Sequence, residues 1–594
     1  CARLNEFKDR EMFLIDLDHI LNPESDFKTL SNRLTVLAQE VIRQALAIVY
    51  EHLAEKYGRP RTVAGYDARF AVFGLGKCGG AALGYGSDIE LLFVYSDSGS
   101  TDGDSPIRNA EFFNICAREI SRSITARRKR TFTIDLRLRP YGKDGPLACS
   151  LETFCSYYSR EGDAHSYERL ALVRLRALAG DREFGLQIER LRDEIIYGSD
   201  SVDREELRDL REKQFREKIS QGRLNAKFSP GALVDLEYDV QILQVTYGRD
   251  RPELRTPEIH KALTALMETG VLCSEEASRL TDSYDFFRRC INGLRMLRGS
   301  ADDTFLPEQD SDEYEHLARR MGYARAAGIG PGRQLYVDFE THSAQVRTFI
   351  EHHFGREALP GSAGGNVADV ILSDNISGEL RRAILTQAGF TDPERASVNF
   401  SSLAGQEKTK GLFARLAVLA VDILRRGPDP DTALNNWERF VRSVPDPHTH
   451  YALILSQPTR ADILLRLFAV SQFLSDTLVQ HPEYVDILTS PEQIHRQYSR
   501  EDIEQELRDI SRSDQDHDGW LNRLREMRRR EILRIGTRDL CLQKPVREIT
   551  RDISLLAEAS IQIALERILE ELKPEGAARQ RYRSLCGAFC ILAL

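Results

Sequence analysis

Two acids, one residue apart, head an otherwise apolar run in Gly86-Ser87-Asp88-Ile89-Glu90-Leu91-Leu92-Phe93-Val94-Tyr95. Side chains alternate on a strand, so Asp88 and Glu90 emerge on one face. Side by side they repel unless something positive lies between them, and a hard divalent cation such as Mg2+, which takes oxygen ligands, answers that need. A third acid lies in Thr131-Phe132-Thr133-Ile134-Asp135-Leu136-Arg137-Leu138-Arg139-Pro140, where alternation puts Asp135, Arg137 and Arg139 on one strand face. Ahead of the first pair runs Gly74-Leu75-Gly76-Lys77-Cys78-Gly79-Gly80, a backbone able to approach a phosphate closely, with N–H groups and Lys77 as anion donors. Three carboxylates, neighbouring arginines and a glycine loop make a kit for metal-assisted phosphoryl transfer. The bland alternative is that these are solvated polar faces of edge strands.

The glycine run formally satisfies GxGxxG, but its context rejects a dinucleotide site. A Rossmann unit needs a crossover of a dozen or more residues carrying a helix. Only Ala81–Ser87 separates the glycines from the next strand, and that stretch contains Gly84 and Gly86.

The elements that must hold these residues are mostly helices. Leu34, Leu37, Ala38, Val41, Ile42, Ala45, Leu46 and Val49 recur at helical spacing, and similar stripes run through 204–222, 258–298, 411–426, 460–488, 519–534 and 548–572. Strands are expected at Arg69–Gly74, Ile89–Tyr95 and Arg130–Leu138. The expected class is α+β, predominantly helical, with one small mixed sheet flanked by helical bundles. At 594 residues the chain has room for about three to five domains. Gly355–Gly365 is the best linker candidate, with weaker ones at Gly427–Asp431 and Pro445–His448.

Composition narrows the class. Apolar residues at 41% and charged residues at 29% supply real cores and exclude a disordered chain. No run reaches the length of a membrane helix, so a soluble protein is expected. The net charge of −10 argues against nucleic acid as a partner. Ten cysteines without a CxxC pair read as reduced thiols. The first 25 residues carry charges rather than an apolar signal core, which points to the cytoplasm. A start at Cys1 and an apolar finish at 588–594 read as a fragment.

A distant repeat runs beneath this organisation. Residues 7–15 match 527–535; Leu34, Leu37, Ala38, Ala45 and Leu46 match Ile553, Leu556, Ala557, Ala564 and Leu565; Phe70–Phe73 matches Phe589–Leu592. The offset is 519 or 520 residues throughout. The alternative is that amphipathic helices simply look alike. If the repeat holds, a second copy of the α/β region begins near the C-terminal end.

A strand, a glycine loop, Gly-Ser-Asp-x-Glu and a third acid on a later strand resemble the nucleotidyltransferase superfamily of the DNA-polymerase-beta type. The segments FGLGKCGGAALGYGSDIELLFVY, IDLRLRPYGKDGPLACS, YERLALVRLRALAGD and LNAKFSPGALVDLEYDVQ resemble, more narrowly, the glutamine synthetase adenylyltransferase family, which is bifunctional and built as two halves in tandem. The resemblance covers essentially the whole chain. It implies that Asp88, Glu90 and Asp135 hold two Mg2+ ions. It also implies that Gly76, Gly79, Gly80 and Ser87 cradle phosphate, with Lys77, Arg137 and Arg139 facing the nucleotide. The alternative for Arg139, just before Pro140, is ordinary packing at a strand end.

The implied substrates are ATP, ADP, AMP and phosphate, and the implied target is a tyrosine of glutamine synthetase. The PII signalling protein and glutamine are the implied effectors. The order of the halves makes this copy the one that removes AMP. The implied domains are a helical prelude (1–60), the catalytic domain (61–185), a helical bundle for regulation or substrate binding (186–355), a helical linker domain (366–510) and a prelude to a second, truncated catalytic domain (511–594). Two positions depart from the family: Glu90 stands where aspartate is usual, and Ala232 follows Gly231 where a second glycine is common. Competing readings are a catalytically weak regulatory scaffold, or a nucleotidyltransferase acting on PII or on RNA.

Other features read blandly. His352-His353 and His448-x-His450 are expected at the surface. The basic run Arg127-Arg128-Lys129-Arg130 reads as a solvated helix end. The helical pair around 284–298 reads mostly as core.

Overall fold

The structure, a computed structural model, describes every residue except 1, 23–25, 126–131, 199–201, 220–222, 301–302, 326–328, 361–363, 497, 514–516, 573–590 and 592–594. The chain divides into two compact units, Cys1–Arg325 with Gly330–Ile376, and Ala326–Ile329 with Ser377–Leu594.

In the first unit the sheet is built from β1 (Phe70–Gly74), β2 (Ile89–Tyr95), β3 (Ile134–Asp135), β4 (Ala148–Ser150) and β5 (Arg176–Gly180). The order is β3-β2-β1-β5, with β4 also pairing β2. β1 runs antiparallel to β2 and β5, whereas β3 and β4 lie parallel to β2, one at its start and one at its end. The sheet is therefore mixed, as expected.

Helices cover both faces, which is why the central strands are apolar almost throughout. Following the chain, these are α1 (Ala2–Leu21), α2 (Phe27–Tyr57), α3 (Asn109–Ser123), α4 (Leu151–Tyr158) and α5 (Arg182–Tyr197). Ile89, Leu91, Phe93 and Tyr95 pack with the stripe of α2 and with Phe112, Phe113 and Cys116 of α3. Leu92 and Val94 point the other way, toward Phe154 and Tyr158 of α4 and Phe184 and Ile188 of α5. Each such side chain, fully buried, contributes about 1.5–3 kcal/mol. Asp26 caps the first turn of α2 by accepting from Lys28 N, and Gly58 ends it at φ +84°.

A helical bundle completes this unit, including α6 (Leu233–Tyr247), α7 (Ser274–Arg298) and α8 (Pro331–Phe354), around Phe287, Leu294, Leu335 and Phe339. The stripe over 258–298 is broken into Ile259–Glu268 and α7, with Gly270 at φ +73° in the turn between them.

The third expected strand is corrected. Of the expected Arg130–Leu138, residues 130–131 lie outside the described residues; within 132–138 the strand is Ile134–Asp135, and residues 137–140 turn. Arg139 supplies the reason: its guanidinium donates to the carbonyls of Leu136 at 2.6 Å, Lys143 at 3.2 Å and Gly145 at 3.2 Å, curling the chain around itself. Arg137 and Arg139 therefore do not share a strand face with Asp135. The basic run at 127–130 lies outside the described residues.

In the second unit, helices begin repeatedly with an Asp-Pro pair. Asp392, Asp429 and Asp446 accept from Arg395, Thr432 and His448 N, and the following prolines open each helix. Gly427–Asp431 and Pro445–His448 are thus tight turns inside this unit, not linkers; proline there marks a helix start. Of the Gly355–Gly365 break, 361–363 lie outside the described residues, while Leu359 is buried with the bundle core. The two late repeat segments fall on α9 (His517–Leu540) and α10 (Val546–Glu571), as their early partners fall on α1 and α2. The third, Phe589–Leu592, lies outside the described residues apart from Ile591. Among the described residues no helix is long and apolar enough to cross a membrane.

Candidate active site

The return of the chain after the glycines excludes the dinucleotide fold directly. Between β1 and β2 stands only the helical turn Gly76–Gly79, and the two strands are antiparallel.

The parallel register of β2 and β3 pairs Ile89 with Ile134 and Glu90 with Asp135. One residue earlier, Ile89 N donates to Thr133 O at 2.8 Å and Thr133 Oγ1 donates to Asp88 Oδ1 at 2.5 Å. Ile89 is wholly buried, so Asp88 and Glu90 fall on the opposite face. Three carboxylates thus gather where β2 begins, with Asp88 exposed and the other two half-buried.

The glycine turn lies directly against this group. Gly76 has φ +49°, and a Cβ added to it would fall 1.4 Å from Glu90 Oε2. Glycine is required twice over, for the left-handed backbone and for the carboxylate it faces. Gly79 and Gly80 are closely packed as well: added Cβ atoms would meet Arg174 O at 1.8 Å and Pro257 O at 3.0 Å. Arg176 donates to the carbonyls of Cys78 and Gly79, each at 3.0 Å, closing the turn.

Burial raises the Glu90 carboxyl above its ordinary range; the Lys77 charge opposes this and Asp135 adds to it. Burial also pushes Asp135 up, but hydrogen bonds and charge from Arg137 outweigh it and hold the carboxyl below its ordinary value. Arg137 N donates to Asp135 Oδ1 at 2.9 Å and Nη2 to Oδ2 at 2.6 Å. Lys77 is driven well below its ordinary value by burial and by Arg295, Lys227 and Arg288, with Glu237 pulling the other way.

Those last residues come from the bundle, and sequence reasoning selected none of them. Glu237 on α6 lies 3.2 Å from Arg174 and 3.9 Å from Arg288, and both arginines are almost fully buried. The signal was present in YERLALVRLRALAGD and LNAKFSPGALVDLEYDVQ, whose charged positions sit among apolar ones. Nearby, Asp235 accepts from Arg211 at 2.5 Å and from Gly231 N at 2.7 Å. Ala232 is fully buried in the bundle core.

The pair around 284–298 is more than core. Along α7, Arg288 donates to Ala82 O, Asn292 Oδ1 accepts from Tyr85 N at 2.8 Å, and Arg295 donates to Tyr85 O at 3.3 Å. Ser87 Oγ accepts from Gly84 N at 3.0 Å and from Arg295 at 3.4 Å. This grip carries loop 81–87 through left-handed turns at Ala81 and Gly86 and delivers Asp88 to the carboxylate group.

Of the four histidines expected at the surface, His352 and His448 are exposed and the other two are corrected. His450 is buried against Phe440, with ring centroids 5.3 Å apart. His353 is largely covered and, with His352, faces Glu276, an acid 76 residues away from His352 in sequence.

Residues 1–191 and 461–594, more than half of the chain, match the family described as glutamate–ammonia ligase adenylyltransferase. Residues 202–354 match a family described as GlnD PII-uridylyltransferase. Among curated proteins, the bifunctional glutamine synthetase adenylyltransferase/adenylyl-removing enzyme of Thioalkalivibrio sulfidiphilus is 28% identical over 601 residues, covering 96% of this chain and 60% of the relative. The proteins of the same description from Aromatoleum aromaticum and Nitrosococcus oceani are each 27% identical, covering 93% and 95% of this chain and 59% of each relative. The chain thus spans about 60% of the length of these relatives. With a family match over more than half of its residues, the chain belongs to the glutamate–ammonia ligase adenylyltransferase family.

Proposed function

We propose that the first unit holds a polymerase-beta-like nucleotidyltransferase site that transfers AMP to or from a tyrosine of glutamine synthetase, and that this copy works by phosphorolytic removal. The observation that carries the reading is the in-register pairing of Glu90 with Asp135 beside Asp88 and the Gly76 turn.

The donor set fits Mg2+. It consists of carboxylate oxygens alone, and the Asp135 charge raises the cost of ionising Glu90 unless a cation intervenes. Asp88, Glu90 and Asp135 would hold the ions, which when bound neutralise phosphate charge and favour the attacking oxygen. The chain's own residues do the remaining work. Gly76 lets the backbone approach close to the phosphates, Lys77 interacts with the Glu90 carboxyl, and Arg137 orients Asp135. In removal, a phosphate oxygen forms a bond to the AMP phosphorus as the tyrosine oxygen leaves and takes up a proton, giving ADP and free tyrosine. Glu90, one methylene longer than aspartate, is accommodated by the glycine turn it faces.

A second reading, transfer to the PII protein, is favoured by one observation, the match of 202–354. The segment holding the three carboxylates matches the adenylyltransferase family instead. PII and glutamine belong to this proposal as effectors, and the cytoplasm as the compartment.

The test is a radiolabel assay with Mg2+. Phosphate with AMP-labelled glutamine synthetase is expected to release labelled ADP, and Asp88→Ala to abolish it. Label transfer from ATP to unmodified synthetase would assign the adding direction. Transfer from UTP to PII alone would establish the second reading. Silence in every arm from folded protein would leave a regulatory scaffold.

A further inference from the structure

Away from the carboxylates, a cluster of ligand-type side chains joins two helix ends. Glu276 lies in the first turn of α7, and His352 and His353 in the last turn of α8. Glu276 Oε1 is 3.4 Å from His352 Nδ1 and 3.2 Å from His353 Nε2, and Oε2 is 3.3 Å from His353 Nε2. The imidazole centroids are 4.5 Å apart, and one ligand atom from each residue falls within 4.8 Å of the other two. Neighbouring helical residues point about 100° apart, so two adjacent rings meet one carboxylate only when another element is brought between them. A simple ion pair needs one histidine; here both are used.

We propose that Glu276, His352 and His353 form a binding site for a transition-metal dication of the Zn2+ class, apart from the carboxylate site. Tetrahedral coordination with bonds of about 2.1 Å sets neighbouring ligand atoms about 3.4 Å apart, close to the separations found here. Two imidazole nitrogens with one carboxylate suit Zn2+, Co2+ or Ni2+ and not Mg2+, which prefers an oxygen cage. His352 is exposed, leaving the fourth position to water from solvent. The ion would tie the start of α7 to the end of α8. Because α7 carries Arg288, Asn292 and Arg295 to loop 81–87, the site braces the helix that shapes the active-site loop.

The test is titration of the full chain with Zn2+ by calorimetry and with Co2+ by visible absorption, Mg2+ being held in excess. One equivalent is expected to bind at this site, with a tetrahedral-type Co2+ spectrum and a raised Tm. His352→Ala, on an exposed side chain, and the near-isosteric Glu276→Gln should each weaken binding by at least the roughly 10–100-fold that an outer-shell partner is worth. Asp88→Ala and His448→Ala should leave it unchanged. Cys273, an exposed thiol at the N-cap of α7, is controlled by Cys273→Ser, which should retain binding. Absence of binding, binding indifferent to both His352→Ala and Glu276→Gln, or loss only in Cys273→Ser would overturn the proposal. The inference does not rest on the direction or target of AMP transfer.

Discussion

Gly76 and Glu90 occupy each other's space, so they should behave as a coupled pair. Gly76→Ala forces a side chain into a left-handed backbone, at about 1–2 kcal/mol, and displaces the Glu90 carboxylate. An ångström of misplacement at a reacting group is worth about 100-fold, and a loss of that order is expected in the label-release assay. Glu90→Asp draws the carboxylate back by one methylene, so Gly76→Ala with Glu90→Asp should recover more activity than additivity allows. Additive effects across this cycle would show that the contact is not what constrains the turn. At this scale the acids were readable because strand alternation is a local rule. Glu237 and the Glu276–histidine group were not, because their partners lie far away in sequence.

Glu237 on α6 and Arg174 and Arg288 show what distant elements contribute. Breaking a buried ion pair from one side leaves the other charge uncompensated, so Glu237→Gln should destabilise the first unit by about 3–5 kcal/mol in denaturant unfolding. An unchanged midpoint would mean that solvent reaches this group. In the helix Pro447–Ser456, burial lowers the His450 pKa to about 4, with Arg460 adding to the effect. Between the unfolded value near 6.5 and that folded value, the unfolded chain takes up the proton more readily. Stability should therefore fall as pH drops through this window, by up to about 3 kcal/mol, and His450→Phe should flatten that part of the profile. Element boundaries were readable where apolar periodicity ran long, as in α2 and β2. They failed at β3, where one arginine side chain ended the strand, and at the Asp-Pro turns, where helix-start chemistry resembles a break.

Across the whole molecule, the two sequence-matched helices α2 and α10 stand in different surroundings. At the offset of the sequence match, Leu34, Ile42, Val49 and Leu53 of α2 correspond to Ile553, Ile561, Ile568 and Leu572 in and just after α10. The first set packs under the sheet, while Ile42 is 0% and Ile561 47% exposed. Ile42→Ala should cost about 2–5 kcal/mol. Ile561→Ala should stay within about 0.5 kcal/mol by the same unfolding measurement. Equal costs would mean that both helices are covered alike in solution. The helical class and the mixed sheet were readable from composition and periodicity. The division into two compact units was not, since no change in composition marks Ile376–Ser377.

The parallel pairing of β2 with β3 also governs which changes in chain length this protein can accept during evolution. A one-residue slip of β3 would set Ile134 beside Glu90 and turn Asp135 toward the core. Insertions in the exposed stretch 104–106 should therefore leave function intact, because α3 takes up the slack before β3 begins. A single deletion between Phe132 and Asp135 has no such buffer: Phe132 is buried at a left-handed turn immediately before the strand. Length variation among descendants of this sequence should accumulate on the first side and be purged on the second.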